Sequence, residues 1–402
     1  MKNIIKKKIR IGIDARFYGP VGKGLGRYVQ EVVDNIININ RESEQKFEFV
    51  IFLSPENFDK FIFTDSFISK KLVSLPWYSW REQLLFPFII LKEKIDLMHY
   101  PHFNVPIFSP VAFVVTIHDL ILTKFPSRRA SMLPVTLYWL KQIAYRIIIQ
   151  VAVMRAKTVI AVSEFTKDDI VKKLGIRADK IAVTYEGVAI LSNEDKIDSK
   201  DAVLINDKQV LSSYKFHAPF LLYVGNAYPH KNLDKFLEVF SSLRYTHPDI
   251  SLVMVGKDDY FYQRVKRVAR NLHLWREDTD NGKVFFPGYV SDNDLKVLYR
   301  QALLYVFPSL YEGFGLPPLE AMSQSCPVIS SNQGSLPEIL GESAVYFNPY
   351  DKVDMLTKIT ALIDNKSARE SLIMKGREHV ANFSWQRCAG ETFDIYRRAL
   401  LK

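Results

Sequence analysis

The sequence predicts an α/β protein made of two doubly wound, Rossmann-like domains, and three observations carry that expectation. Short apolar, β-branched runs alternate with longer amphipathic stretches, the pattern of parallel sheets covered by helices on both faces. The alternation runs twice, separated by a polar, charge-mixed stretch at 191–215, LSNEDKIDSKDAVLINDKQVLSSYK, which reads as a linker. The chain has 402 residues, and two domains of about 200 residues each fit that length better than one core.

In order along the first half, the predicted strands are 9–13, 47–53, 97–100, 113–117, 158–162 and 181–184. In the second half they are 220–224, 252–255, 284–286, 304–307, 327–330 and 344–347. Apolar periodicity predicts helices at 134–154, 232–243, 292–301 and 355–363. The expected domains are 1–198 and 199–385. Ligands of such sheets bind beyond the carboxyl ends of the strands.

A hydrophobic content of 48% with 24% charged residues excludes global disorder. The two cysteines, Cys326 and Cys388, have no metal-ligand spacing and read as buried, reduced thiols of a cytosolic protein. The apolar run 84–91 is interrupted by Pro87 and falls short of the ~18 residues a membrane span needs. The start, MKNIIKKKIRIGIDA, reads as a leader entering a strand and not as a signal peptide.

Charge is uneven. Residues 1–200 hold 30 basic and 21 acidic side chains, against 24 and 23 in 201–402. From Pro101 to Lys157 there are Lys124, Arg128, Arg129, Lys141, Arg146, Arg155 and Lys157 but one acid, Asp119, among many aliphatics and aromatics. Cations beside apolar residues suit an anionic membrane surface and place the protein peripherally at the inner face of the membrane. The competing reading is a helix at 134–154 that is mostly core, with Gln142, Arg146 and Gln150 as its polar stripe. No nucleic-acid-binding motif is visible.

The richest stretch for chemistry is FPSLYEGFGLPPLE, Phe307 to Glu320. Pro317 and Pro318 suit the first helical positions, where their missing donors have no partner to lose. Gly313 and Gly315 let the backbone turn sharply and approach a ligand. The donors on Phe314, Gly315 and Leu316 then stand at the positive end of a helix dipole, where a phosphate binds. A phosphate repels carboxylates, so Glu312 is better suited to neutral sugar hydroxyls and Glu320, expected in the first turn, to a ribose. Together they describe a nucleotide sugar; taken singly, each glutamate is equally a capping residue.

Other candidates stand at strand ends. Lys231, before a helix start, can neutralise a diphosphate, or be a solvated surface lysine. The turn Gly22-Lys23-Gly24-Leu25-Gly26 invites a dinucleotide reading, weakened because no acid ends the second strand. His118 ends a strand, where a functional group or a structural histidine are both at home. Pro101 prevents His99 and His102 from forming a helical metal pair, so both read as strand-end residues. Asp119 reads as a turn or capping residue, and Glu186 as structural.

These segments resemble the retaining glycosyltransferases of family 4, with the GT-B architecture. EGFGL with Glu320 looks like the family signature; PVISSNQGSLPEILGESAVYFNP and YVGNAYPHKNL are similar to its pattern in the second half. GPVGKGLGRY, TIHDL and VSEFTKDDI fit it in the first half and look most like mannosyltransferase-type members of this group 1 class. The resemblance implies two domains facing across a cleft, an acceptor domain and a nucleotide-sugar domain, with a final helix, 386–402, returning to the first. It implies a hexose, mannose from guanosine diphosphate mannose, moved with retention to a hydroxyl of a glycan or lipid-linked acceptor. No cofactor or metal is expected, only the donor as co-substrate. Lys231 would hold the phosphates, Gly22 and Gly24 would belong to a mobile loop near the reaction centre, and His118 would stand near sugar and acceptor. Tyr289 and Val290 would cup the base beside Lys257. Asn226 replaces the arginine that relatives often carry after the strand-ending glycine. The rival readings are a nucleotide-sugar epimerase or phosphorylase, and a non-catalytic sugar-nucleotide-binding protein.

Overall fold

A computed structural model of the chain describes residues 8–19, 23–44, 46–125, 134–188, 207, 209–276 and 282–401. The chain forms two compact α/β units. The first comprises Met1–Lys124, Leu133–Gly187 and Ser384–Lys402, the second Phe125–Met132 and Val188–Phe383.

The first unit is built on seven parallel strands: β1 (Arg10–Asp14), β2 (Glu48–Leu53), β3 (Ile68–Leu72), β4 (Leu97–Tyr100), β5 (Phe113–Ile117), β6 (Thr158–Ala161) and β7 (Ile181–Val183). Their order is β3-β2-β1-β4-β5-β6-β7. The inner strands are buried on both faces, as their unbroken apolar runs require. Strand β3, ISKKL, is absent from the sequence expectation. It pairs on one side only, with β2, and its lysines leave it half exposed, so it lacks the apolar run that marks an inner strand.

The Trp80–Lys92 helix is a second element the sequence did not reveal, because Pro87 broke its apparent pattern. Pro87 sits inside the helix, and the start is secured by a capping box. Ser79 Oγ accepts from the Glu82 amide while Glu82 Oε2 accepts from the Tyr78 amide. Phe86 and Ile90 pack down onto the sheet in one core with Tyr145, Ile149 and Ala152 of the Val135–Arg155 helix.

The final helix, Trp385–Leu401, completes this unit. Tyr396 Oη lies 2.7 Å from His99 Nδ1, Phe393 packs on Phe47, and Arg397 donates to Ser43. Gly187 is required where the chain leaves β7, because a side chain there would strike the backbone of Ser384 and Trp385.

The second unit has six parallel strands: β8 (Phe220–Val224), β9 (Ser251–Val255), β10 (Val284–Gly288), β11 (Leu304–Phe307), β12 (Val328–Ser331) and β13 (Ala344–Phe347). Their order is β10-β9-β8-β11-β12-β13. Most of the predicted linker lies outside the described residues, but its last part belongs to this unit. Asp207 accepts from Arg300 and Gln301, and Tyr214 donates to Asp294.

Each sheet reverses its strand order once, between β1 and β4 and between β8 and β11. A reversal leaves a crevice at the carboxyl ends of the two strands, because their connections depart to opposite faces.

Candidate functional site

At the reversal of the second sheet, the loops after β8 and β11 bring together two residues that are far apart in sequence. After β8 the chain makes a single 3-10 turn, Pro229–Lys231, and after β11 it runs through Glu312 into the Leu316–Ser323 helix. The Leu310 amide donates to the His230 carbonyl at 2.7 Å and ties the loops to each other. Lys231 Nζ donates to Glu312 Oε1 at 2.5 Å, and both side chains are 11% exposed. The ammonium also lies 5.3 Å from the centre of the Phe307 ring. Sequence alone assigned these groups separate tasks; the fold joins them in one ion pair.

The backbone under Glu312 is held from the loop after β12. Ser335 Oγ donates to the carbonyls of Glu312 and Phe314, at 3.2 and 2.9 Å. Gly334, at φ 68°, lies so close that a Cβ would stand 2.8 Å from the Glu312 nitrogen. Neither Gly334 nor Ser335 was singled out in the sequence, although both lie in NQGSLPEIL.

Gly315 makes the turn into the helix at φ 103°, and no side chain caps that helix start. Pro317 and Pro318 occupy the first turn as predicted. Phe314 is buried against Phe383, and Gly313 and Leu316 flank the turn. Glu320 is corrected in position. It is the fifth helical residue and so belongs to the second turn, where its Oε2 accepts from Tyr299 Oη at 3.4 Å.

The remaining candidates of this unit line the same carboxyl edge. Asn226, after β8, accepts from the Tyr228 amide through its side chain. Lys257, after β9, is exposed. After β10, Tyr289 is largely exposed while Val290 is buried. His230 stays neutral: burial, helped by the Lys231 charge, lowers its pKa to about 4. Lys231 is therefore the cation nearest Glu312 in these two loops.

Gly22, Arg128 and Arg129 lie outside the described residues. Gly24 is the second residue of the Lys23–Glu42 helix and faces open space, so it lies in a helical turn where a loop was expected.

His118 follows β5 and has both ring nitrogens engaged. Its Nδ1 lies 3.0 Å from Glu186 Oε1 and its Nε2 3.0 Å from the Pro101 carbonyl. Two acceptors hold both ring nitrogens as donors. Burial is the largest single influence and opposes the charge, but the hydrogen bond and charge of Glu186, the Pro101 carbonyl and the Asp119 charge together outweigh it and raise the pKa. Glu186, read as structural, is its partner. His99 is buried inside β4, bonded to Tyr396 and Thr116. Asp119 accepts from the Ile121 amide, the capping role expected of it. Among the described residues no group of three or more His, Cys, Asp or Glu is arranged to hold a metal ion.

The first sheet's reversal holds a buried cluster that was not singled out. Arg16 donates to both oxygens of Asp14 at 2.7 Å, to Glu82 Oε1 at 2.5 Å, and stacks over Phe86. Glu82 Oε2 accepts from Asn104 as well as Tyr78. Its sequence signals were the acid ending β1, in IDAR, and the Ser79-x-x-Glu82 capping box.

Comparison with known proteins follows the same two-part division. Residues 212–379 match the family model described as Glycosyl transferases group 1, and residues 44–190 that of Glycosyltransferase Family 4. The chain is 32% identical over 248 residues to O-antigen chain mannosyltransferase B of Escherichia coli, covering 60% of this chain and 61% of that one. It is 28% identical over 285 residues to O-antigen chain mannosyltransferase RfbU of Salmonella typhimurium, covering 71% and 69%. Among solved structures, sucrose-phosphate synthase from Thermosynechococcus elongatus aligns with a TM-score of 0.74 at 18% identity, over 97% of this chain and 99% of that one. A glycosyltransferase from Rickettsia africae aligns with a TM-score of 0.69 at 20% identity, over 98% and 99%.

Proposed function

We propose a function from one premise: the chain belongs to the group 1 glycosyltransferases and has their GT-B fold. It moves a hexose, mannose from guanosine diphosphate mannose, to a hydroxyl of a glycan or lipid-linked acceptor, with the anomeric configuration retained. The observation that carries this reading is the Lys231–Glu312 pair at the reversal of the second sheet, where α/β sheets bind their ligands. The mannosyltransferases of O-antigen chains to which the chain is similar support mannose and a glycan acceptor.

In the reaction the bond from the anomeric carbon to the diphosphate oxygen breaks and the acceptor oxygen takes its place. The acceptor proton leaves with the diphosphate. Lys231 and backbone amides of the Glu312–Leu316 turn offset the charge that develops on the leaving group, so no metal is required. Glu312 holds sugar hydroxyls, and Glu320, with Tyr299 beside it, faces the ribose. Lys257, Tyr289 and Val290 border the base. Thermal-shift screening against nucleotide sugars should single out a guanosine donor, and transfer should persist in EDTA. Donor binding with no nucleotide release across a panel of acceptors would instead favour a binding protein. Turnover without acceptor would favour an epimerase, and dependence on inorganic phosphate a phosphorylase.

An anionic membrane surface is the proposed partner of the first unit, bound from the cytoplasmic side. The Val135–Arg155 helix is not mostly core: Gln142 is buried and bonds Tyr138 of the same helix, Gln150 bonds the Leu174 carbonyl, and Trp139, Leu140, Ile143, Ile147 and Met154 are exposed, as are Lys141 and Arg146. The Trp80–Lys92 helix likewise exposes Trp80, Leu84, Phe88 and Leu91 beside Arg81 and Lys92. Gln83 and Arg155 both bond the loop between these helices, whose Phe108 is 76% exposed. Apolar faces flanked by cations are what an interface with anionic lipid takes up. Trp80→Ser with Phe88→Ser should reduce sedimentation with phosphatidylglycerol vesicles by at least about tenfold. Unchanged sedimentation would remove the proposal. No helix among the described residues is long and apolar enough to cross a membrane.

A further inference from the structure

Resting on the donor site just described, we propose that the Lys231–Glu312 pair distinguishes the loaded donor from the spent nucleoside diphosphate and expels the latter.

The pair shares a single favourable contact, Nζ to one carboxylate oxygen. The lysine is the group placed to hold a diphosphate, and the glutamate the group placed to hold hydroxyls. A diphosphate arriving at Nζ draws the ammonium away from Glu312. That strands a mostly buried carboxylate beside a new anion, a costly state unless something donates to it.

The main chain of Glu312 cannot shift away from the lysine. Ser335 pins its carbonyl, and Gly334 fills the space behind its amide. Neither can His230 substitute for the lysine, because it is neutral. The Lys231 backbone is fixed in turn, its amide donating to the Tyr228 carbonyl at 2.8 Å.

A nucleotide sugar carries the remedy. While its diphosphate engages Lys231, its sugar hydroxyls donate to Glu312, so both members of the broken pair are satisfied. A bare nucleoside diphosphate satisfies only the lysine. Once the sugar has gone to the acceptor, Glu312 loses its donors and reclaims Lys231, and the diphosphate is held less tightly. The same two side chains thus favour the substrate and eject the product.

Calorimetric titration of the full chain with guanosine diphosphate and guanosine diphosphate mannose tests this. The wild type should bind the sugar form at least about tenfold more tightly than the bare diphosphate. Glu312→Gln removes the competing charge, so it should bind the bare diphosphate about tenfold more tightly than the wild type while losing the preference for the sugar form. Equal wild-type affinities for the two ligands would overturn the proposal whether or not the variant folds. So would a folded Glu312→Gln variant that binds the diphosphate no better than wild type. Failure of the donor site itself looks different: the wild type would bind neither ligand, or Lys231→Met would leave both affinities unchanged.

Discussion

Both sheets carry a buried ion pair at the point where strand order reverses, yet the two are built to opposite ends. In the first unit Arg16 makes three hydrogen bonds to two carboxylates, and Glu82 is further held by the Tyr78 amide and Asn104. In the second, Lys231 and Glu312 meet through one contact, at the edge of solvent. A planar guanidinium buried from solvent and held to two carboxylates through Nε and Nη2 suits a lock, even with its Nη1 unpartnered, whereas a flexible ammonium at the edge of solvent suits exchange of partners. The position common to both sheets therefore does not make a binding site; bonding capacity that a ligand can reach from solvent does.

The sharpest way to break this contrast is Arg16→Met. It leaves Asp14 and Glu82 buried without a counter-charge and should cost about 3–5 kcal/mol in urea denaturation. Nucleotide affinity of the folded fraction should not change. Lost nucleotide binding with stability retained would make the cluster a site after all. Lys231→Met should do the reverse, lowering transfer about 100-fold or more with a smaller loss of stability. Next in size is Gly334→Ala, which forces a Cβ against the Glu312 backbone at positive φ. It should reduce kcat about tenfold while the fold persists by circular dichroism. A fully active variant would show that Glu312 need not be held in place.

The smallest effects are in pH dependence, and those of the first unit can be separated by one substitution. His118 has a raised pKa in the fold: burial opposes its charge, but Glu186, the Pro101 carbonyl and Asp119 together prevail. Its stabilisation is complete below the ordinary value of 6.5 and is lost as pH rises through the raised one. His99 and His102 behave oppositely, since burial, with the charge of His118, lowers both to about 3. Their contribution is present above 6.5 and lost as pH falls toward 3. Melting temperature against pH should therefore peak near 6.5, and His118→Gln should flatten the alkaline limb most, with a smaller easing of the acid limb because the His118 charge helps depress His99 and His102.

Much of this architecture was legible because buried parallel strands must be apolar throughout, and the runs at 97–100, 113–117, 220–224, 304–307 and 344–347 coincide with β4, β5, β8, β11 and β13. What escaped detection breaks a local rule for a tertiary reason. Edge strand β3 tolerates two lysines, and the Trp80–Lys92 helix tolerates Pro87 because its inner face is anchored by Phe86 and Ile90. At the candidate site, Lys231 and Glu312 each stood out by type and position, but contact across 81 residues is a property of sheet order and not of spacing. His118 stood out equally, and what its sequence neighbours could not reveal was Glu186, 68 residues on.

The helix Trp385–Leu401 belongs to the first unit although the whole second unit precedes it in the chain. A ribosome therefore delivers the second unit complete before the first can close around Tyr396 and Phe393. Until then, the surface of the nascent protein that will receive this helix, His99 and Phe47 included, waits uncovered. Vectorial synthesis thus makes the first unit the last part able to finish folding.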